Sequence, residues 1–190
     1  MYNIKTFENF NSQDIFTYIY NDDIQSVKNY IDSGYNLNIK EYTGITPFIY
    51  ATINNNIEIV KLLLNAGADI DKQDNYGNTA LIAATFYNNI EIVELLLNAG
   101  ADINKQNNRG YTALINSARS NYREIVELLL DYNAGEFILN DENKSFYDYL
   151  NDENKGYFLQ NYPTSVYNAI SHNYKKSFTE FVKDYNIKNN

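Results

Sequence analysis

The chain has no cysteine, a single histidine and far fewer basic than acidic residues. Without cysteine it can form no disulfide, no thiolate metal site and no cysteine nucleophile. The 15 Lys and Arg against 24 Asp and Glu give a formal net charge of −9. This charge argues against general affinity for nucleic acid or anionic membranes, because phosphate binding needs clustered cations. A basic protein partner is better tolerated, although net charge alone does not select one.

Long apolar runs are missing as well. No stretch reaches the roughly 18 residues that a membrane helix requires. The first residues, MYNIKTFENFNSQDIF, lack the apolar core of a secretory signal. We therefore expect a soluble cytoplasmic protein, and delivery into a host cell is not decidable from the sequence. With 190 residues, 44% of them hydrophobic, the chain is large enough to bury one core.

What the chain does contain is an internal repeat. The segment EIVKLLLNAGADI at 58–70 returns 33 residues later as EIVELLLNAGADI at 91–103, and a blurred third copy begins at Glu124. Two ladders of glycine keep the same interval: Gly34, Gly67 and Gly100, and Gly44, Gly77 and Gly110. A fixed period of this length indicates an architecture of stacked units.

Each period predicts a helix, a turn, a second helix and a hairpin. The second helix carries more apolar residues than one buried face requires, so it must be sandwiched between neighbouring units. The hydroxyls of Thr46, Thr79 and Thr112 are suited to cap the first helices, with Pro47 at a first helical position. Glycine after the Leu run and asparagine between the helices suit left-handed backbone.

These residues resemble the ankyrin repeat pattern, Gly-x-Thr-Pro-Leu-His-x-Ala followed by Ile-Val-x-Leu-Leu-Leu-x-x-Gly-Ala-Asp-Ile-Asn. The resemblance covers about residues 41–133 and rests on Gly44, Thr46, Pro47 and Ala51, on Gly77, Thr79, Leu81 and Ala84, and on Gly110, Thr112 and Leu114. It implies an all-α solenoid of helix-turn-helix units with short β-hairpin-like loops and degenerate capping repeats at both ends. The family histidine is Ile at 49, 82 and 115, so we expect apolar packing there instead of hydrogen bonds.

The expected units are a capping repeat at 8–40, central repeats at 41–73, 74–106 and 107–139, and a degenerate C-terminal repeat with closing helices at 140–190. Within the last unit, NDENKGYFLQNYP is expected to cut the repeat short. The stretch TSVYNAISHNYKKSFTEFVKDYN is interpreted as a helical pair that closes the stack, and a separate C-terminal function is the alternative.

The sequence predicts no catalytic residue, no metal site and no cofactor. His172 is the only histidine, and a triad or metal site would need partners that the sequence does not place beside it. The acidic stretch DIDKQDNYGNTA has Asp74 and Ala80 where a calcium loop needs Gly and Glu. Asp69 and Asp102 are better explained as hairpin residues that accept backbone hydrogen bonds.

The resemblance further implies that the hairpin tips and the exposed side of each first helix line a concave groove that holds another protein. The positions that the repeat does not need for folding, and that could therefore contact a partner, would be Tyr42, Thr43, Ile45, Ile53, Asn54, Asn75, Tyr76, Asn78, Phe86, Tyr87, Asn108, Arg109, Tyr111, Arg119 and Ser120. Our hypothesis is one contiguous patch of Tyr76, Phe86, Tyr87, Arg109 and Tyr111, since such side chains often anchor interfaces. The alternative is that these are incidental surface tyrosines, because the chain has 19 of them.

Two function classes follow. The first is an adaptor or scaffold that holds a partner protein, and the second is a dedicated inhibitor, of immunity type or directed at a host, whose acidic surface blocks a basic enzyme. An enzymatic role built on His172 is a third hypothesis. We expect a monomer, although imperfect caps leave end-to-end association open.

Overall fold

The computed structural model describes residues 14–171 and 177–184. Residues 8–13 of the expected first unit and the lone His172 lie outside the described residues. The described part contains helices and turns and no strand. Its helices are α1 (Asp14–Tyr20), α2 (Ile24–Asp32), α3 (Pro47–Ile53), α4 (Ile57–Asn65), α5 (Ala80–Phe86), α6 (Ile90–Asn98), α7 (Ala113–Arg119), α8 (Arg123–Asp131), α9 (Phe146–Tyr149), α10 (Asp152–Asn161), α11 (Pro163–Ile170) and α12 (Phe178–Asp184).

The helices form two layers. In one layer α1, α3, α5, α7 and α9 pack side by side, and in the other α2, α4, α6 and α8 do the same. The two helices of each unit also pack on each other, so every central unit touches its neighbours through both layers. The expected all-α stack of repeats is confirmed.

Local chemistry sets the helix ends. Thr79 Oγ1 accepts a hydrogen bond from Ile82 N at 3.3 Å, and Thr46 and Thr112 cap α3 and α7 in the same way. Pro47 occupies the first turn of α3. Between the paired helices, Asn55, Asn88 and Asn121 have φ of 57°, 57° and 59°, the left-handed region in which asparagine is tolerated.

The core lies between the two layers and runs the length of the stack. Leu63, Leu96 and Leu129, which are 33 residues apart, are all fully buried. The isoleucines at 49, 82 and 115 are also buried, so apolar packing occupies the histidine position as expected. Each fully buried Leu contributes roughly 1.5–3 kcal/mol relative to an exposed one, and a unit without neighbours would lose much of that.

The hairpins are tied to each other by side chains that repeat with the period. Asp69 Oδ1 accepts from Asp71 N at 3.1 Å, and Asp71 Oδ1 accepts from Asp102 N at 2.9 Å. The Gln73 amide donates to the Gln106 carbonyl at 3.0 Å, in the next hairpin. The expectation that Asp69 stabilises its own hairpin is confirmed, and the same ladder also joins one unit to the next.

The C-terminal end follows the sequence expectation only in part. The first helix of the fifth unit, α9, has 4 residues where α7 has 7, and it ends just before NDENKGYFLQNYP, but residues 152–161 of that stretch form the helix α10. Asn154 Nδ2 donates to Asn121 Oδ1 at 2.7 Å, and Arg123 Nε donates to Asn154 Oδ1 at 2.5 Å, so α10 is held beside the start of α8. The closing stretch then contributes α11 and α12, with Ala169 and Phe181 buried.

Candidate functional site

The hairpin tips and the first helices of three successive units enclose one groove, called here the central groove. It has a volume of about 410 Å³. The residues that line it are Ile45, Ile49, Ile53, Asp74, Tyr76, Asn78, Ile82, Ala83, Phe86, Tyr87, Asn107, Asn108, Arg109, Tyr111, Asn116 and Arg119. Most of the positions expected to bind a partner are therefore brought together.

The floor of the central groove is aliphatic. Ile49 and Ile82 are almost fully buried and come from the first turns of α3 and α5, while Ile53 lies one helical turn beyond Ile49. Side chains four residues apart share a helix face, so the half-buried Ile53 continues the apolar row that Ile49 begins.

The aromatic wall stands on the second of the three units. Tyr76 is 68% exposed and Phe86 is 55% exposed, although each has a large apolar surface. The rings of Phe86 and Tyr87 meet edge to face with centroids 5.2 Å apart. The two rings therefore pack on each other and still remain about half exposed, which is typical of residues that anchor an interface.

One predicted binding residue is not free. Tyr111 is buried, with its hydroxyl 3.2 Å from the Tyr149 hydroxyl and its ring 5.5 Å from the Arg119 guanidinium. Its assignment as a position without structural duty was wrong, because the fifth unit packs against the tip of its hairpin. The patch is consequently a surface of Tyr76, Phe86, Tyr87 and the two arginines, with Tyr111 beneath it.

The asparagines among the predicted positions join the hairpins. Asn75 Nδ2 donates to the Tyr42 carbonyl at 3.0 Å, and Asn108 Nδ2 donates to the Asn75 carbonyl at 3.0 Å. Asn78 Oδ1 accepts from Asn107 Nδ2 at 2.9 Å. These side chains space the tips evenly, and this structural role was not expected for them.

The remaining predicted positions lie elsewhere. Tyr42 and Thr43 line a smaller cavity of about 340 Å³ that shares Ile45 with the central groove. Asn54 and Ser120 line neither cavity. Sequence reasoning missed Ile49, Ile82, Ala83, Asp74, Asn107 and Asn116 as groove residues. The spacing of Ile49 to Ile53 and of Ile82 to Phe86 was the signal that could have identified part of this floor.

The electrostatics of the central groove are dominated by its arginines. Asp74 is the only acidic residue among those that line it, and its carboxylate accepts from Tyr76 N and Asn78 N, each at 2.8 Å. Arg109 and Arg119 are exposed at the end of the groove that lies toward the fifth unit.

A network of hydroxyls underlies that end of the groove. Burial, followed by the hydrogen bond with the Tyr111 hydroxyl, raises the pKa of Tyr149 to about 12. Asn140 Nδ2 donates to the Tyr149 hydroxyl at 2.7 Å. The neutral phenol is the form that this packing favours, since an anion would be poorly solvated there.

Raising the pH above 10 is expected to destabilise the fold. Because the pKa of Tyr149 is raised from 10.0 to about 12, the folded state holds the phenol proton more tightly than the unfolded state does. The stabilisation that results is complete below pH 10.0 and is lost as the pH approaches 12. Denaturant unfolding at a series of pH values checks this. Tyr149→Phe cannot ionise and should show a shallower alkaline fall, and identical falls in the two proteins would contradict the assignment.

The described residues contain no group of three or more His, Cys, Asp or Glu side chains placed to hold a metal ion. Within residues 14–171 and 177–184, no helix combines the length and the apolar character needed to traverse a bilayer.

Comparison with known proteins gives two matches to family models. A model described as ankyrin repeats (3 copies) matches residues 15–107, and one described as ankyrin repeats (many copies) matches residues 86–130. Together they span more than half of the chain, from α1 into α8. No curated protein matches the chain.

Proposed function

We propose, from the premise that this chain belongs to the ankyrin repeat family, that it is a non-catalytic adaptor that binds another protein in the central groove. Ankyrin repeats are protein–protein interaction modules. The hairpin tips and the first helices supply the contact surface, and the chain acts as a monomer. The observation that carries the proposal is the aromatic wall beside an aliphatic floor.

Exposure of Phe86 is the clearest part of that observation. A phenyl ring has no polar group, and burying a large apolar side chain is worth roughly 1.5–3 kcal/mol. In the monomer Phe86 is left 55% exposed above an apolar floor with Tyr76 and Tyr87 beside it. A partner that covers these rings would gain the burial that the fold does not supply.

The described residues that line the central groove carry few reactive groups. They include no His, Cys, Ser, Thr or Lys, and their one carboxylate accepts hydrogen bonds from backbone amides. This composition supports binding as the function of the groove.

The double variant Tyr76→Ala/Phe86→Ala is expected to lose partner capture, by about a hundredfold in affinity if each ring contributes as an interface anchor. Immobilised full-length chain is incubated with native lysate, and the proteins that bind are cross-linked to it. The captured proteins are then quantified by mass spectrometry. The stability of the variant should change little, because both side chains are exposed. Tyr111 is left intact, since its replacement would disturb the fold.

The matched control is Tyr20→Ala/Phe137→Ala. These residues are 71% and 64% exposed and line neither cavity, so they carry similar apolar surface outside the central groove. The control should capture the same proteins as the unmodified chain. Equal capture by all three proteins would show that the groove is not the binding site.

The inhibitor hypothesis is the second candidate, and the net charge of −9 is the observation that favours it. It places the contact on acidic surface, whereas the free charges of the central groove are cationic. A captured enzyme that loses its activity when bound, with affinity that survives Tyr76→Ala/Phe86→Ala and weakens in salt, would favour inhibition over the adaptor role.

A further inference from the structure

We infer that the segment held in the central groove carries a large apolar side chain with an Asp or Glu on one side of it, and that the carboxylate lies against Arg109 and Arg119. The inference rests on the proposed function and specifies the chemistry of the partner. Two observations support it. The side chains change in character along the groove, and the two arginines of the groove form no ion pair within the described residues.

Positions 33 residues apart occupy equivalent places in successive units, so they report how the groove changes along the stack. At the end of the first helices the series is Ile53, Phe86 and Arg119. At the hairpin tips it is Thr43, Tyr76 and Arg109. Both series reach arginine in the third of the three units, and the helix-end series is apolar before it, so the groove changes from apolar to cationic toward that unit.

The two arginines are uncommitted within the described part of the chain. The chain has three arginines, and the third, Arg123, donates to Glu153 at 2.6 Å. Neither Arg109 nor Arg119 forms an ion pair in residues 14–171 and 177–184. Glu142, one period beyond Arg109, is paired with Lys144 at 2.8 Å. The cations in the central groove are thus available to a ligand.

The placement of Arg119 suits a carboxylate. Its guanidinium lies 5.5 Å from the centroid of the Tyr111 ring, and that ring is fixed beneath it by burial and by the Tyr149 hydroxyl. A cation–π contact of this kind uses none of the guanidinium N–H groups as hydrogen-bond donors to a carbonyl or carboxylate, so they can still donate to a ligand. A planar fork of donors matches the two oxygens of a carboxylate.

The net charge decides between kinds of anion. A polyanion such as RNA, or a phosphorylated segment with nearly two charges per group, would be repelled by a protein of charge −9 as it approached. One or two carboxylates incur less of this repulsion, which is screened beyond about 8 Å in physiological salt. The contact with the arginines is short and is screened less.

The test is selection of short random peptides, displayed on phage, against the immobilised full-length chain. The peptides expected to be enriched carry Asp or Glu on one side of an aromatic or large aliphatic residue. One enriched peptide is then synthesised, together with versions in which the carboxylate is replaced by its amide or by Lys, and affinities are measured by calorimetry.

Arg119→Glu is expected to weaken the acidic peptide at least about tenfold and to improve binding of the Lys version. Lys61→Glu is the matched control, because it makes the same change of net charge on α4, outside the groove, and places there the residue found at the equivalent Glu94. The control should bind the acidic peptide almost as well as the unmodified chain.

The other outcomes overturn the inference in distinguishable ways. Enriched peptides that depend on Phe86 but carry no carboxylate would end it and leave the proposed function standing. Binders indifferent to both Phe86→Ala and Arg119→Glu, or no binders, would end both. A single-stranded oligonucleotide that displaces the peptide would assign the arginines to nucleic acid. Self-association abolished by Arg119→Glu would make a second copy of the chain the occupant.

Discussion

Replacing Gly77 with alanine is expected to lower the free energy of unfolding by about 3–5 kcal/mol, enough to unfold a marginally stable repeat protein. Gly77 has φ of 79°, and the left-handed region is unfavourable for alanine by about 1–2 kcal/mol. An alanine Cβ would also lie 2.7 Å from the backbone nitrogen of Asn108. That nitrogen donates to the Tyr76 carbonyl at 3.0 Å, so the clash would separate two hairpin tips.

Gly100→Ala is the control that isolates the close approach. Gly100 has φ of 84°, similar to that of Gly77, but no heavy atom lies within 4 Å of the Cβ that alanine would add. Its expected loss is about 1–2 kcal/mol, from the backbone alone. Urea unfolding followed by circular dichroism measures both variants. Equal losses would mean that the contact between the two hairpins tolerates a Cβ at position 77.

Phe158→Ala is expected to be the second severe change, with a loss of about 3–5 kcal/mol. Phe158 is fully buried in α10, with the ring centroid of Tyr162 5.5 Å away and that of Phe146 6.5 Å away. Truncation would leave a cavity among rings that cannot collapse freely. Because each unit is stabilised by its neighbours, the loss should extend to the unit that contains α7 and α8.

Gln160→Ala, in the same helix, is the matched control for Phe158→Ala. Gln160 is exposed, so its replacement tests helix propensity without removing core packing. Thermal unfolding of the two variants should differ widely, with Gln160→Ala close to the unmodified chain. If Phe158→Ala were as mild as Gln160→Ala, the segment from 152 to 161 would be an appendage and the stack would end earlier.

The repeated units were predictable because each depends on chemistry within a few residues. Thr79 caps α5 by accepting from Ile82 N in the first turn of the same helix, and Asn88 takes a left-handed conformation in the turn that follows that helix. The apolar second helices also predicted their own burial on two sides. α10 was not predictable in this way, because its sequence lacks the Leu run. The burial of its Phe158 also depends on packing against a ring from another helix, that of Phe146.

The candidate site was predictable only in outline. The period placed Tyr76, Phe86 and Arg119 on one surface, since equivalent positions in stacked units lie side by side. It could not show that Tyr111 is covered, because the residue that covers it, Tyr149, belongs to the unit in which the pattern has decayed. The hydrogen bond from Asn75 to the neighbouring hairpin could not be predicted either. Its acceptor is a backbone carbonyl, and because every residue has one, the sequence does not mark it.

By itself the sequence determined the period, the helix ends and the need for each unit to have neighbours, because these follow from turn chemistry and apolar spacing that are local to the chain. Only the tertiary structure decided which surface side chains remain free and how the last unit closes the stack. Those outcomes depend on distances between atoms of different units, such as the 5.5 Å between Arg119 and the Tyr111 ring, and no spacing within one repeat contains that information.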